Sequence, residues 1–317
     1  MSKIFKALPL FRLPTILLKK ISRYMHLQEI LLISLASKKS AFIMRYLLPL
    51  NWFNLKLLFF SGTTKVVLGA KRLWDPVIVK SRNIGDLFQL QVTQPSGDVS
   101  YQWAGPQLQE LVKILLTHFA TVFNPTIYIH VDKGYSQEFV MGVLKHVQQL
   151  SLMITSLQIY ANISPENYRN ILDECKEVSE LSLFCEVAAH FKHCVGPHFR
   201  VDDFLVSDGH WVHLEDFTNC KRVSVWNSTG HKQPKYTNPE VLRAFIRKWI
   251  ESECRLEYLE VYGGRARMDF RVVLSGLDYR TIEQTEYSHD VEITRRCDGK
   301  KATVKCGTYH FEFTVIY

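Results

Sequence analysis

Through the first fifty residues apolar side chains recur at helical spacing, and on more than one face. After Leu13, Pro14 fits the first position of a helix, where its missing N–H costs nothing, and Leu17, Leu18, Ile21, Tyr24 and Met25 follow on one side. In the next segment Leu27, Ile30, Leu31 and Leu35 make a stripe. Leu32, Ile33 and Ala36 extend it around the cylinder, so this second helix needs cover on two sides. Ser37 fits the N-cap of a third helix through Phe42, Ile43, Tyr46 and Leu47, which Pro49 ends. A unit of roughly 40 residues seldom suffices with its own core, so the pattern predicts a protein partner for these helices.

Beyond them the period changes. Asn51 to Phe60, rich in Trp, Phe and Leu, is expected to pack as a continuation that holds the first helices rigidly to the rest of the chain. Val66–Leu68, Val77–Val79, Phe88–Val92 and Val99–Trp103 predict strands of a small mixed or antiparallel sheet, with a turn at Gln94, Pro95, Ser96 and Gly97. Gly105 and Pro106 precede a helix carrying Leu108, Leu111, Val112, Leu115, Leu116 and Phe119 on one face; a strand over Thr126–Val131 and a helix over Phe139–Leu150 come next. Strands at Leu157–Tyr160, Leu181–Phe184, Phe204–Val206, Val223–Val225 and Tyr258–Val261 then start 24, 23, 19 and 35 residues apart, with helical segments expected between them. Ser164, Pro165 and Glu166, and again Asn238, Pro239 and Glu240, read as cap, first-turn proline and first-turn acid. Such units predict leucine-rich-repeat-like stacking without the consensus asparagine ladder, the alternative being an ordinary α/β sandwich. The fold expected is therefore α+β to α/β. It has a three-helix segment at 1–50, a connecting region of mixed sheet and helix at 51–155, and a repeat-like body at 156–317.

Charge separates the two ends. Residues 1–60 hold ten Lys and Arg against Glu29 alone, a net of +9, so with +8 for the whole chain the rest sums to −1. The basic character belongs to the N-terminal helices and suits an acidic partner, while the body is not a nucleic-acid surface by net charge. Arg45 and Lys56 interrupt the apolar run at 42–60 before it reaches the ~18 residues of a spanning helix, and no signal-peptide layout is visible. The expectation is a soluble, cytoplasmic or nuclear protein. Seven Cys residues without C-x-x-C pairs fit a reducing compartment; Cys297 and Cys306 flank a hairpin with Asp298 and Gly299 near its turn.

The stretch Leu8, Pro9, Leu10, Phe11, Arg12, Leu13, Pro14, with Ile21, Met25, Leu27, Glu29, Ile30, Leu31, Ser34, Leu35, Ser37, Lys38 and Lys39, resembles an F-box, the motif that docks onto a Skp-type adaptor of cullin-RING ubiquitin ligases. Gln28 and Ser40 stand where many such motifs carry Pro and an aromatic residue. The resemblance implies that Leu13, Pro14, Leu17, Ile21, Leu27, Ile30, Leu31 and Leu35 supply the adaptor contacts and the helical core between them. Farther on, Asp203 to Ser207, Trp211 to Asp216, Asn219 to Ser228, Phe245 to Trp249 and Leu256 to Val261 resemble the type 2 F-box-associated domain of a large nematode-expanded group, most specifically over 184–262. Gly276 to Tyr279 and the closing hairpin from Val291 to Tyr317 are similar to the ends of those chains. The resemblance implies a non-enzymatic substrate receptor of a ubiquitin ligase, with a target protein on the C-terminal body.

Motifs for catalysis are sparse. No Walker loop, G-x-G-x-x-G after a strand, G-x-S-x-G elbow or H-E-x-x-H occurs. His190, His193, Cys194 and His198, near Cys185, Asp208 and His210, are the one constellation that suggests zinc, and with it a rival reading as a metal-dependent hydrolase; the favoured reading is polar histidines around a packed Phe191, with no metal and no cofactor. Trp211, Trp226, Asn227, Tyr262 and Arg265 fall at strand ends and loops, where recognition residues concentrate, and are the candidates for target binding.

Overall fold

The computed structural model describes residues 10–61, 63–70, 73–84, 87–92, 99–103, 108–196, 198–227, 237–263 and 268–317. The Gln94–Gly97 turn, the Gly105-Pro106 helix start, Leu8, Pro9 and Arg265 lie outside these residues. The chain divides into two units, residues 1–130 with 138–154, and residues 131–137 with 155–317.

In the first unit the apolar periodicity becomes helices α1 (Thr15–Tyr24), α2 (Leu27–Ala36) and α3 (Lys38–Leu47) after a short 3-10 turn, Leu10–Arg12. Pro14 sits one residue ahead of its expected place, as the cap whose carbonyl accepts from Leu18 N–H at 3.1 Å. The start of α2 is closed by a capping box, in which His26 N–H donates to the Glu29 carboxylate at 2.9 Å. Ser37 caps α3 as its sequence position requires, accepting from Ser40 N–H at 3.0 Å. Ser40 is buried and its hydroxyl also meets that of the Ser37 cap at 2.8 Å, which fastens the first turn of α3.

Strand β1 (Phe53–Phe60) comes directly after these helices, where the sequence reading predicts only a packed continuation and does not identify a strand. Phe53, Leu55, Leu57 and Phe59 alternate into the core, a period of two that the run of Trp, Phe and Leu conceals. β1 opens an antiparallel meander through β2 (Thr63–Ala70), β3 (Leu73–Ile84), β4 (Leu87–Val92) and β5 (Val99–Trp103). β6 (Thr126–Val131) lies on the other side of β1. Helices α4 (Leu108–Phe123) and α5 (Gln137–Gln149) pack aromatic residues against β1, with Phe53 on Phe123 at 5.1 Å and Phe59 on Phe139 at 5.0 Å, both edge to face. The Ser34 hydroxyl and His118 Nε2, 2.9 Å apart, join α2 to α4.

The second unit carries five parallel strands in chain order, β7 (Ile154–Ile159), β8 (Glu180–Leu183), β9 (Asp203–Val206), β10 (Arg222–Trp226) and β11 (Tyr258–Tyr262). The register aligns Leu157, Leu181, Phe204, Val223 and Leu259 in one buried row, and Ile159, Leu183, Val206, Val225 and Val261 in another. This is the strand stacking expected of repeat-like units. After α8 (Phe270–Leu274), strands β12 (Arg280–Gln284), β13 (Ser288–Thr294), β14 (Lys301–Gly307) and β15 (His310–Ile316) extend the sheet antiparallel, β15 pairing with β11.

Helices do not come after every strand, which corrects one expectation. α6 (Pro165–Glu174) and α7 (Pro239–Glu251) have the proline starts and the Ser164 and Asn238 caps that the sequence signals. Between β8 and β9 the chain is irregular, and between β9 and β10 it makes only a 3-10 turn, Leu214–Phe217. Both segments bury isolated aromatic plugs instead of a helical stripe: Phe199 meets Phe204 edge-on at 5.3 Å, and Phe217 stacks on Phe204 at 4.9 Å. Gly209 is held so close that a Cβ there would meet Val225 Cγ1 at 2.3 Å. α7 covers the far end of the buried rows, where Phe245 and Trp249 pack on Phe313 at 5.8 and 5.0 Å. The Arg295 guanidinium lies 5.1 Å from the Trp249 ring and pairs with Asp298 at 2.5 Å, which holds the Asp298 carboxyl well below the usual carboxylate range. Asp298 and Gly299, the latter at φ 70°, form the expected turn between β13 and β14; Cys297 is exposed, Cys306 is buried, and both are free thiols.

Candidate functional site

The N-terminal helices divide their apolar residues into two sets that sequence could not separate. Leu18, Leu27, Ile30, Leu31, Ala41 and Met44 are buried and form the helical core. Leu27, Ile30 and Leu31, expected among the adaptor contacts, are therefore committed to the interior: α2 turns this stripe inward against α3. Leu13 and Ile21 are half-buried and Pro14 is exposed. Leu17 and Leu35 stand 46% and 56% exposed, and around them Ile16, Tyr24, Leu32, Phe42 and Tyr46 are more than half exposed. On the second face of α2, which the periodicity marks as needing cover, the described residues of the unit leave Leu32 half exposed and Ala36 exposed, with Ile33 partly covered. So many large apolar side chains left in water on three consecutive helices are the mark of an interaction surface. Lys19, Lys20, Arg23, Lys38 and Lys39 are exposed beside them, which gives the surface its positive field.

The body offers a different surface. Along the parallel strands one side is buried and the other stays partly open, and on the open side four aromatic residues fall in line. Tyr160 stacks on Phe184 with centroids 4.2 Å apart and planes 4° from parallel, and Phe184 meets Trp226 at 6.4 Å. Trp226 pairs across the ladder with Tyr262, and Tyr262 with His310. Trp226 and Tyr262, two of the residues singled out from sequence, are 36% and 46% exposed. Phe184 and Tyr160, read from sequence only as the last residues of their strands, come just after β8 and β7, and their stacking joins segments 24 residues apart that no local pattern connects.

The other singled-out residues sit elsewhere. Trp211 is interior, its ring edge-on to Tyr168 at 5.9 Å and to Phe191 at 5.6 Å, so it packs instead of presenting a surface. Asn227 is buried too, bridging to Asp208 and donating its N–H to the Tyr262 carbonyl at 3.2 Å; it fixes the strand ends that carry Trp226 and Tyr262.

The chain is 28% identical over 225 residues to the Skn-1 dependent zygotic transcript 15 protein of Caenorhabditis elegans. That match takes in 64% of this chain and 61% of the relative, so the chain spans about three fifths of the length of the curated protein it resembles. No protein-family model matches the chain, and no solved structure does. It has a nematode relative.

Two of the histidines of the candidate cluster are engaged in packing and bracing. His193 packs between Phe191 and Trp211 with Nε2 3.6 Å from Asp173, and burial lowers its pKa despite that carboxylate. His210 Nδ1 lies 3.0 Å from Asp208, whose other oxygen accepts from Val187 N–H at 2.9 Å, so this pair braces two loops. The Cys185 thiol is pushed up to about 12 by burial, which removes it as a nucleophile at neutral pH. Among the described residues, no group of three or more His, Cys, Asp or Glu is placed to hold a metal ion. Nor, among them, is any helix long and apolar enough to cross a membrane.

Proposed function

We propose that this protein is a substrate-recognition subunit of a Skp-cullin-F-box type ubiquitin ligase: the N-terminal helices bind the Skp-type adaptor, and the C-terminal body holds a target protein. The observation that carries this reading is the split of the N-terminal apolar residues into a closed core and an exposed set centred on Leu17 and Leu35, in the helices whose sequence resembles an F-box. A free surface of this kind is stabilised when a partner removes it from water, at about 25 cal/mol per Å² of apolar area. The protein makes no bonds itself on this reading. It raises the effective concentration of the target beside ubiquitin chemistry carried out by other subunits. Within the first unit α2 and α3 pack directly on α4 and β3.

Co-expression with the host's Skp-type adaptor, and then size-exclusion chromatography with light scattering, tests the reading. A one-to-one complex that survives dilution to micromolar concentration is expected. Two separate peaks from folded proteins would refute it. A receptor that binds the adaptor but delivers no target is distinguished by measuring the abundance of bound proteins when the ligase is inhibited.

A further inference from the structure

A cleft of about 530 Å³ opens in the body beside the C-terminal half of α7, between the turn that ends α8 and the turn after β13. That volume lies within the range of ligand sites. Four arginines from three segments line it: Arg247 of α7, Arg280 at the start of β12, and Arg295 and Arg296 just after β13. Segments far apart in the chain thus bring their cations to one place.

The fold fixes each arginine at its root and leaves three of the four heads without a partner. Arg295 is committed, since its guanidinium bonds the Asp298 carboxylate at 2.9 and 2.5 Å and lies on the Trp249 ring. Arg296 N–H donates to the Ile250 carbonyl at 2.9 Å, which ties the turn after β13 to the end of α7. Arg280 stands opposite Glu292 on the ladder, but that carboxylate is taken by Lys301 at 2.9 Å. Arg247 reaches over Gly276, where a Cβ would lie 3.3 Å from its Nη2; the glycine, at φ 69°, both turns the chain after α8 and leaves room for that head. Among the described residues, the guanidiniums of Arg247, Arg280 and Arg296 pair with no carboxylate, and all three residues are exposed.

We propose that this cleft seats one oxyanionic side chain of the target protein, a phosphorylated residue or a carboxylate, with Arg247, Arg280 and Arg296 as its donors. Guanidinium forks match the oxygens of such groups in paired hydrogen bonds. That the side chain belongs to a target rests on the receptor reading above; the oxyanion site itself stands on the cleft. Charge selects this occupant. Glu251 and Asp278 also line the cleft without a bonded cation among the described residues, so the unpaired charges are three positive against two negative. An excess of one suits a single anionic group. A cationic ligand would meet the three free guanidiniums, and a polyanion such as nucleic acid would meet both carboxylates on a body whose residues 61–317 sum to −1.

The test uses the full chain and fluorescence anisotropy at about 0.15 M salt, with three labelled twelve-residue peptides that differ only in a central phosphoserine, glutamate or serine. At least one of the two anionic peptides is expected to bind about tenfold or more tightly than the serine peptide, and the tighter of the two names the source of the oxyanion. Arg247→Gln with Arg296→Gln should weaken that binding about tenfold or more, whereas Asp278→Asn should tighten it several-fold by removing a repelling carboxylate. A merely structural role would not give opposite signs. All three residues are exposed and unpaired, so the variants fold; protection of the buried thiols verifies this. Equal binding of the three peptides, no binding of either anionic one by folded wild type, or indifference to the arginine substitutions, which would put the anion on the basic N-terminal helices, would overturn the proposal. Displacement of the peptide by an equal concentration of inorganic phosphate would overturn its assignment to a protein side chain. Adaptor capture is scored on the same preparations. Its retention without anion binding condemns the cleft assignment alone, whereas its loss from wild type with anion binding intact condemns the receptor reading and leaves the oxyanion site standing.

Discussion

The N-terminal helices and the open face of the parallel ladder both leave large apolar side chains in water, but of opposite kinds. The helices expose aliphatic residues, Ile16, Leu17, Leu32 and Leu35, together with Tyr24, Phe42 and Tyr46 on a strongly basic ground; the ladder exposes only aromatic ones among its described residues, Trp226 and Tyr262, on a body whose charges nearly cancel. An aliphatic side chain gains nothing from water, so several of them exposed on neighbouring helices favour a standing partner. Trp and Tyr carry a polar handle and tolerate exposure, which suits a surface that is filled and emptied repeatedly. On the proposed reading the difference separates a permanent mounting from an exchangeable grip.

The largest effect expected is on the boundary between core and surface in α2. Leu31→Asp places a carboxylate where Leu31 is 5% exposed and should destabilise the protein by roughly 3 kcal/mol or more, seen as a lowered denaturation midpoint. Leu32→Asp, one residue on and half exposed, should leave the midpoint unchanged within about 0.5 kcal/mol. Equal effects would erase the division between the two sets.

Charge supplies the next contrast. The adaptor association rate should fall about tenfold between low salt and 0.5 M salt, because steering by a net +9 is screened beyond a few ångströms, with the dissociation rate nearly constant. A rate indifferent to salt would mean that the basic ground plays no part in docking.

Thiol chemistry reports on the body alone, since all seven cysteines lie at 175 or beyond. Burial raises Cys175, Cys185, Cys220 and Cys306 to about 12, so in native protein an aromatic disulfide reagent should titrate exposed Cys194 and Cys297 quickly and these four only after denaturation. Unchanged counts in the N-terminal surface variants would localise their effects.

Legibility in the sequence depended on which signals are local. The caps at Ser37, Ser164 and Asn238 and the apolar stripe of α7 were readable because each depends on a few adjacent residues. The five parallel strands were readable from their spacing. β1 was not, because a segment buried at every second residue and flanked by large apolar ones loses its alternation in composition. The missing helices between β8 and β10 were not, because Phe199 and Phe217 are placed by tertiary stacking on Phe204. At the docking surface, sequence named Leu17, Leu31 and Leu35 alike; only packing shows that Leu31 points in. On the ladder it found Trp226 and Tyr262 but equated them with Trp211, whose partners Tyr168 and Phe191 come from distant segments.

The smallest effect expected is that of pH. His118 and His193 are both lowered below their ordinary value of 6.5 by burial. The unfolded chain therefore binds more protons at these sites, so their contribution is fully present above pH 6.5 and is lost as the pH falls through the lowered folded values. Denaturation midpoints should decline gently with acid below pH 6.5, and His118→Gln should flatten part of that slope; a midpoint that rises instead would contradict the burial of both rings.

The most direct measurement is the affinity of the purified Skp-type adaptor for wild type and for Leu17→Asp with Leu35→Asp, read by calorimetry beside thermal unfolding of each protein. The account predicts that the double variant unfolds at the wild-type temperature yet binds at least a hundredfold more weakly, about 2.7 kcal/mol. Undiminished binding by the variant, or none by folded wild type, would contradict it.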